Sequence, residues 1–207
     1  MAKLIILNGS SSSGKTTLAQ TLQEELDVPY QYLSLDQFRD GLPERVRGLN
    51  APTDSEGASG LNVVPQQIDG QPATRIEFGP FGEKVLRVMR MTATQLVSDG
   101  VPTIVDDLFL TPSALQTYLD CCDYSKTWLI GVNCSVEVLA QRELNRTGRF
   151  PGTALEHHKR VHQDVEHYDL LLDTSEKTPL ETAAEVILRL RQPPRALTQL
   201  AASGVQA

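Results

Sequence analysis

A chain of 207 residues is long enough for one domain with a sizeable core and an accessory lid. Its 40% hydrophobic and 22% charged content fits a folded chain and excludes the disordered and fibrous classes. A net charge of −7 and a pI near 5.1 disfavour nucleic-acid and anionic-membrane partners, which need a basic face. No run approaches the roughly 18 apolar residues of a membrane span. The opening "LIIL" is too short for a signal-peptide core. A cytoplasmic protein beginning at or near Met1 is therefore expected.

Residues 3–7, "KLIIL", have the length and composition of a buried strand, and they run directly into "NGSSSSGKTT". Gly9 through Thr16 fits G-x-x-x-x-G-K-[ST], placed after a strand and before a helix as that phosphate-binding pattern requires. Gly9 and Gly14 permit backbone angles that turn successive N–H groups inward onto phosphate oxygens. Ser10, Ser11, Ser12 and Ser13 are small enough not to obstruct them, and their hydroxyls are further candidate contacts. The predicted helix over 15–26 carries Leu18, Leu22 and Leu26 at steps of four, and its N-terminus adds a positive dipole end. Lys15 is placed to reach the outer phosphates, Thr16 to ligate Mg²⁺ and Thr17 to meet the inner phosphate.

A second strand over 31–35, "QYLSL", leads to Asp36 in "LDQFRDGLP". A carboxylate at that strand end is a candidate base that orients an acceptor hydroxyl; the alternative is a cap for a helix starting at Gln37. Residues 48–80 are too long for an ordinary connection and rich in Gly, Pro, Asn and Ser. Within them "LNVVPQQ" and "ATRIEF" flank "IDGQP", an Asp-Gly hairpin signal. We expect a β-hairpin insertion near 60–78 that helps form the acceptor pocket.

A helix is predicted over 82–98, then a strand over 101–105 ending at Asp106 and Asp107, a Walker-B-like position where either carboxylate could serve the metal. Cys121, Cys122 and Cys134 match neither a zinc site nor a disulfide framework and are expected as small buried side chains. A strand over 127–132 precedes a helix over 135–146. Continued, that helix would align Arg142, Arg146 and Arg149 at i, i+4 and i+7, an arginine-bearing lid over 142–153. His157, His158, His162 and His167 lack a metal-binding pattern and are expected to be solvated, beside the lid. The last strand, 169–172, is followed by "DTSEKTP" and a helix over 180–190, and the tail from Gln192 to Ala207 is either a flexible end or a short docked helix.

Strands alternating with helices predict an α/β fold: a mostly parallel sheet covered on both faces, its ligands beyond the carboxyl ends of the strands. One unit over 1–191 is expected, with 192–207 as the tail.

The set "IILNGSSSSGKT", "LDQFRDGLP", "TIVDDLFL", "RELNRTGR" and "VHQDVEHYDLLLDTS" resembles the chloramphenicol phosphotransferase-like kinases, within the nucleoside-monophosphate-kinase-like group of P-loop proteins. The resemblance covers most of residues 3 to 175. "VEHYD" carries one residue more than the family-like "VEYD", and the insertion between Leu49 and Pro80 looks longer. The resemblance implies a three-layer α/β/α P-loop fold with five parallel strands, and ATP with Mg²⁺. It further implies γ-phosphate transfer to a hydroxyl of a small molecule, Asp36 as base, Lys15 as phosphate anchor, and lid arginines at 142, 146 and 149. Antibiotic modification is one such role. A nucleotide, sugar-nucleotide or metabolite kinase, as in the related zeta-toxin-like kinases, and a non-catalytic nucleotide-binding regulatory module are the alternatives. The implied partner is a small hydroxylated acceptor, with neither nucleic acid nor membrane; a homo-oligomer is compatible with the sequence.

Overall fold

The computed structural model describes residues 3–146, 148 and 150–203. Its elements in chain order are β1 (Leu4–Gly9), α1 (Lys15–Glu25), β2 (Gln31–Ser34), α2 (Leu35–Asp40), β3 (Arg47–Leu49), β4 (Leu61–Ile68), β5 (Gln71–Phe78), α3 (Pro80–Ser98) and β6 (Thr103–Asp107). There follow α4 (Pro112–Cys121), β7 (Thr127–Asn133), α5 (Val136–Leu144), α6 (Thr153–Arg160), β8 (Leu170–Asp173), α7 (Pro179–Arg189) and α8 (Ala196–Ser203).

The five expected strands form one sheet in the order β2-β6-β1-β7-β8, with every pair parallel. All six residues of the central β1 are buried, as a strand covered on both faces requires. Its side chains alternate between two cores. Leu4 and Ile6 pack with Leu86 and Met89 of α3, Leu115 of α4 and Leu197 of α8. Ile5 and Leu7 pack with Leu18 and Leu22 of α1 and with Ala183 and Val186 of α7. The result is a three-layer α/β/α arrangement.

The Asp-Gly signal does make a hairpin. Asp69 and Gly70 both have positive φ, 52° and 78°, between the antiparallel β4 and β5, so the turn's twist matches that of its strands. The short β3 adds to it in parallel, making a separate three-stranded sheet. The helix expected over 135–146 ends earlier, at Leu144. Asn145 is its C-cap, and positive φ at Gly148 and Gly152 turns the chain before α6 begins. Arg142 therefore lies within the helix and Arg146 beyond its end, while Arg149 lies outside the described residues.

Of the two readings of the tail, the docked helix is the observed one. Ala196, Leu197 and Leu200 of α8 are buried, and Gln192 O accepts from Trp128 Nε1 at 3.1 Å. Cys134 is buried as expected and Cys122 partly so, whereas Cys121, at the end of α4, is exposed. Among the described residues no helix is long and apolar enough to cross a membrane.

Candidate functional site

The carboxyl ends of β1, β2 and β6 open into a cavity of about 1100 Å³ that runs from the glycine loop to the hairpin. At its floor the chain leaves β1 at Gly9, where an added Cβ would lie 2.2 Å from Val132 O, so no side chain fits. Ser12 has φ 63° and Gly14 φ 96°, the latter as N-cap of α1. These two left-handed residues curl the loop into the N-terminus of α1, whose first N–H groups have no partner within the helix. The hydroxyls of Ser12 and Ser13 are buried and have no hydrogen-bond partner among the described residues. Buried polar groups left this way are uncommon and point to a missing partner. Lys15 curls over the loop, donating to Gly9 O at 2.7 Å and Ser10 O at 2.9 Å. A loop with donors turned inward, orphaned hydroxyls and a lysine across its mouth fits a polyphosphate.

The two adjacent carboxylates of β6 separate sharply. Asp106 faces the loop: it accepts from Thr16 Oγ1 at 2.8 Å and from Tyr32 OH at 3.2 Å, and Lys15 Nζ stands 3.5 Å away. Burial, and then the charge of Asp106, pushes the Tyr32 phenol up to about 12, so it stays a donor. Asp107 faces the opposite core. Arg90 of α3 holds it in two bonds, at 2.8 and 3.2 Å; Tyr118 OH donates at 2.9 Å and Leu108 N at 2.8 Å. Arg90 is 2% exposed and Asp107 fully buried. Burial alone would raise the Asp107 carboxyl; the adjacent Arg90 and the hydrogen bonds outweigh it and hold the group below the usual range. Both oxygens of Asp107 are thus engaged by Arg90, Tyr118 and Leu108. Consecutive strand residues point to opposite faces, and this explains the divergence.

Thr16 and Asp106 fit a Mg²⁺ ion that also takes phosphate oxygens and waters, since that ion is usually held by one or two protein groups. No cluster of three or more His, Cys, Asp or Glu able to hold a metal occurs among the described residues.

Asp36 lies in the first turn of α2 but does not cap it. Ser34 does, accepting from Gln37 N at 3.2 Å while Gln37 Oε1 accepts from Ser34 N at 2.9 Å. The capping alternative for Asp36 is therefore removed. Asp36 lines the cavity and is half-exposed, and Arg39 Nη1 pairs with it at 2.6 Å. Arg39 also binds Asp40, and Arg47 of β3 reaches Arg39 O. Arg39, one turn after Asp36, went unassigned in the sequence although its i, i+3 spacing is a readable signal. Facing this charged wall are Leu61, Val63, Ile76 and Phe78 of the hairpin sheet.

Arg142 and Arg146 also line the cavity. Arg142 is anchored: it donates to Thr174 O at 2.7 Å and to Thr174 Oγ1 at 3.1 Å, and Thr174 Oγ1 donates to Ser13 O at 2.7 Å. Thr174, in "DTSEKTP", thus ties the end of β8 to the loop. Thr17 and Lys177 border the same end. The histidines depart from expectation. His157 is buried at 3% exposure, because α6 packs against β5 of the hairpin and against α5. His162 is largely buried, its Nδ1 2.8 Å from Tyr168 OH. Asn8, just before the loop, donates to that same hydroxyl at 2.7 Å and to Val161 O at 2.9 Å, and accepts from Phe109 N. Tyr168 OH is thus shared between Asn8 Nδ2 and His162 Nδ1, the sense of the second bond following the imidazole tautomer. Burial, with His158 and Lys15 nearby, lowers His162 to about 4 and keeps the ring neutral.

A parallel sheet of this order, with a glycine loop between β1 and α1, defines a P-loop protein of kinase-like fold. Solved structures share it: a sugar kinase from Janibacter sp. HTCC2649 (TM-score 0.64, 16% identity, covering 92% of this chain and 95% of that one). So does the APS kinase CysC of Mycobacterium tuberculosis in complex with AMPPNP and APS (TM-score 0.59, 18% identity, 92% and 98% covered). At such identities the likeness speaks for the fold alone. The family is more specific: residues 2–191 match the model of chloramphenicol phosphotransferase-like proteins, and the chain belongs to that family. Two strains of Mycobacterium tuberculosis carry a relative described as a proposed O-phosphotransferase, 31% identical over 184 residues, spanning 89% of this chain and 80% of the relative.

Proposed function

We propose that the protein is an ATP-dependent phosphotransferase acting on a hydroxyl of a small molecule. The observation that carries this reading is that Asp36, the glycine loop with Lys15 and Thr16, and Asp106 of β6 line one cavity. The donor phosphates would lie on Gly9–Thr17, with Mg²⁺ held by Thr16 and Asp106; bound there, the ion would neutralise charge on the phosphate oxygens. Lys15, released from Gly9 O and Ser10 O, would donate to the outer phosphates, and the Ser12 and Ser13 hydroxyls would gain their missing partners. Arg142, held by Thr174 at the loop's shoulder, walls the donor end. Arg146 adds positive charge beside it.

Asp36 would accept a hydrogen bond from the acceptor hydroxyl and take its proton as the new O–P bond forms and the bond from the γ-phosphorus to its bridging oxygen breaks, ADP leaving with that oxygen. Pairing with Arg39 aims the Asp36 carboxylate. The acceptor's body would rest on the apolar hairpin side chains, which favours a compound with an apolar portion and few hydroxyls over a polyhydroxylated sugar. Chloramphenicol-like alcohols meet that description.

The test is ADP release across a panel of hydroxylated compounds, chloramphenicol included, with the product's phosphate ester identified by ³¹P NMR. Acceptor-dependent ADP release that disappears in Asp36→Asn is expected. Undiminished transfer by Asp36→Asn to a verified acceptor would overturn the assignment. Nucleotide-dependent partner binding without transfer would favour the regulatory-module alternative.

A further inference from the structure

The hairpin, at the acceptor end, and the phosphate loop, at the donor end, belong to different sheets. A continuous set of contacts nevertheless joins them, and it passes through two neighbouring residues of α5.

On the hairpin side, Thr74 Oγ1 of β5 donates to Pro151 O at 3.0 Å. Gly152 lies flat against β5. A Cβ there would sit 2.7 Å from Ala73 Cα and 2.8 Å from Pro72 O, and its φ is +70°, so glycine alone permits the approach. Lys159 of α6 pairs with Asp69 at the hairpin tip, at 2.7 Å. The start of α6 and the hairpin are therefore one packed block.

Glu143 of α5 holds that block. Its two oxygens accept separately from Gly152 N, at 2.8 Å, and Ala154 N, at 2.7 Å. These N–H groups lie at the start of α6, where no intrahelical partner exists for them and the helix dipole favours an anion. The residue before it, Arg142, points the other way and holds Thr174, which holds Ser13 of the loop. Two consecutive side chains of one helix thus grip the two halves of the cavity.

We propose that Glu143 is a positioning residue that couples the hairpin wall of the acceptor pocket to the phosphate loop, so that filling the loop orders the hairpin. This rests on the nucleotide-binding reading above and adds to it a route between the two halves. Glu143 touches neither substrate; it acts through Gly152 and Ala154.

The test is hydrogen–deuterium exchange on the full chain, with and without AMPPNP and Mg²⁺, in the unsubstituted protein, Glu143→Ala, Glu143→Gln and Thr74→Val. In the unsubstituted protein we expect slowed exchange over 9–17 and also over 61–78. In Glu143→Ala the protection of 9–17 persists, while that of 61–78 falls severalfold. Glu143→Gln, which keeps one acceptor oxygen, recovers part of it. Thr74→Val, acting from the hairpin side without touching α5, reproduces the loss. Protection of 9–17 without 61–78 in the unsubstituted protein would overturn the coupling and leave nucleotide binding standing. Hairpin protection unchanged in Glu143→Ala would overturn the role of Glu143. No protection of 9–17 in any protein would remove the nucleotide-binding reading itself, and the coupling with it.

Discussion

Thr16 Oγ1 donates to Asp106 Oδ2 at 2.8 Å, latching the first turn of α1 to the end of β6. The hydroxyl and the carboxylate that could share a cation are already in register. Asp107, one residue on, takes no part in this.

The two carboxylates should therefore fail differently. Asp106→Asn is expected to leave the fold intact and to lower Mg²⁺-dependent turnover by about 10²–10³-fold, the usual effect of losing one preorganised charge contact. Arg90→Met should instead leave Asp107 as an uncompensated buried charge and cost about 3–5 kcal/mol of stability. Denaturant unfolding of both variants, beside ADP-release rates, checks the contrast. Equal activity losses with unchanged stability would reverse the assignment.

Asp36→Asn keeps the shape of the pocket and the capping of α2 by Ser34, but removes the proposed proton acceptor. Nucleotide binding measured by calorimetry should stay within about twofold, while acceptor-dependent turnover should fall by roughly 10²–10⁴, the range of general-base contributions. Lys15→Ala should weaken both, because the proposed contact of its ammonium with the donor phosphates would act in the ground state as well as during transfer.

Gly9→Ala would drive a methyl to 2.2 Å from Val132 O. Backbone cannot yield there without shifting β7 or the loop. Loss of nucleotide binding together with a lowered melting temperature is expected, and wild-type binding with an unchanged melting temperature would contradict it.

His162 provides a pH signature. Its folded value of about 4 lies below the ordinary histidine value of 6.5. The unfolded chain then binds the extra proton first as pH falls, so this contribution to stability is present above about pH 6.5 and is lost as pH drops toward 4. Urea midpoints between pH 7 and 4.5 should decline less steeply in His162→Gln than in the unsubstituted protein.

Much of the site is legible along the chain because its chemistry is local. Gly9 to Thr17 is one contiguous segment whose backbone makes the cradle, and β1 and α1 follow from short-range apolar patterning. Asp36 and the Asp106-Asp107 pair stand at strand ends that border the cavity, where the rule for parallel sheets directs attention. The Asp69-Gly70 turn is equally local, since the left-handed angles it needs are written in those two residues.

Other features required distant partners. Nothing in "VDD" distinguishes Asp106 from Asp107 until Arg90 and Tyr118 arrive from α3 and α4 on one face and Thr16 and Tyr32 on the other. The three-residue β3 has too little pattern to be recognised and exists because β4 pairs with it. His157 reads as a solvated residue, but it is buried because α6 packs against a hairpin some eighty positions earlier in the chain. The arginine segment looks like one helical face, yet the helix ends at Leu144, and Arg142 finds Thr174, 32 residues away. The sequence by itself determined the phosphate cradle, the sheet and the candidate carboxylates, since dihedral preferences and periodic burial act over a few residues. Tertiary structure alone decided which carboxylate meets the cradle and how the hairpin is tied to it, because those outcomes depend on which surfaces meet when separate elements exclude water together.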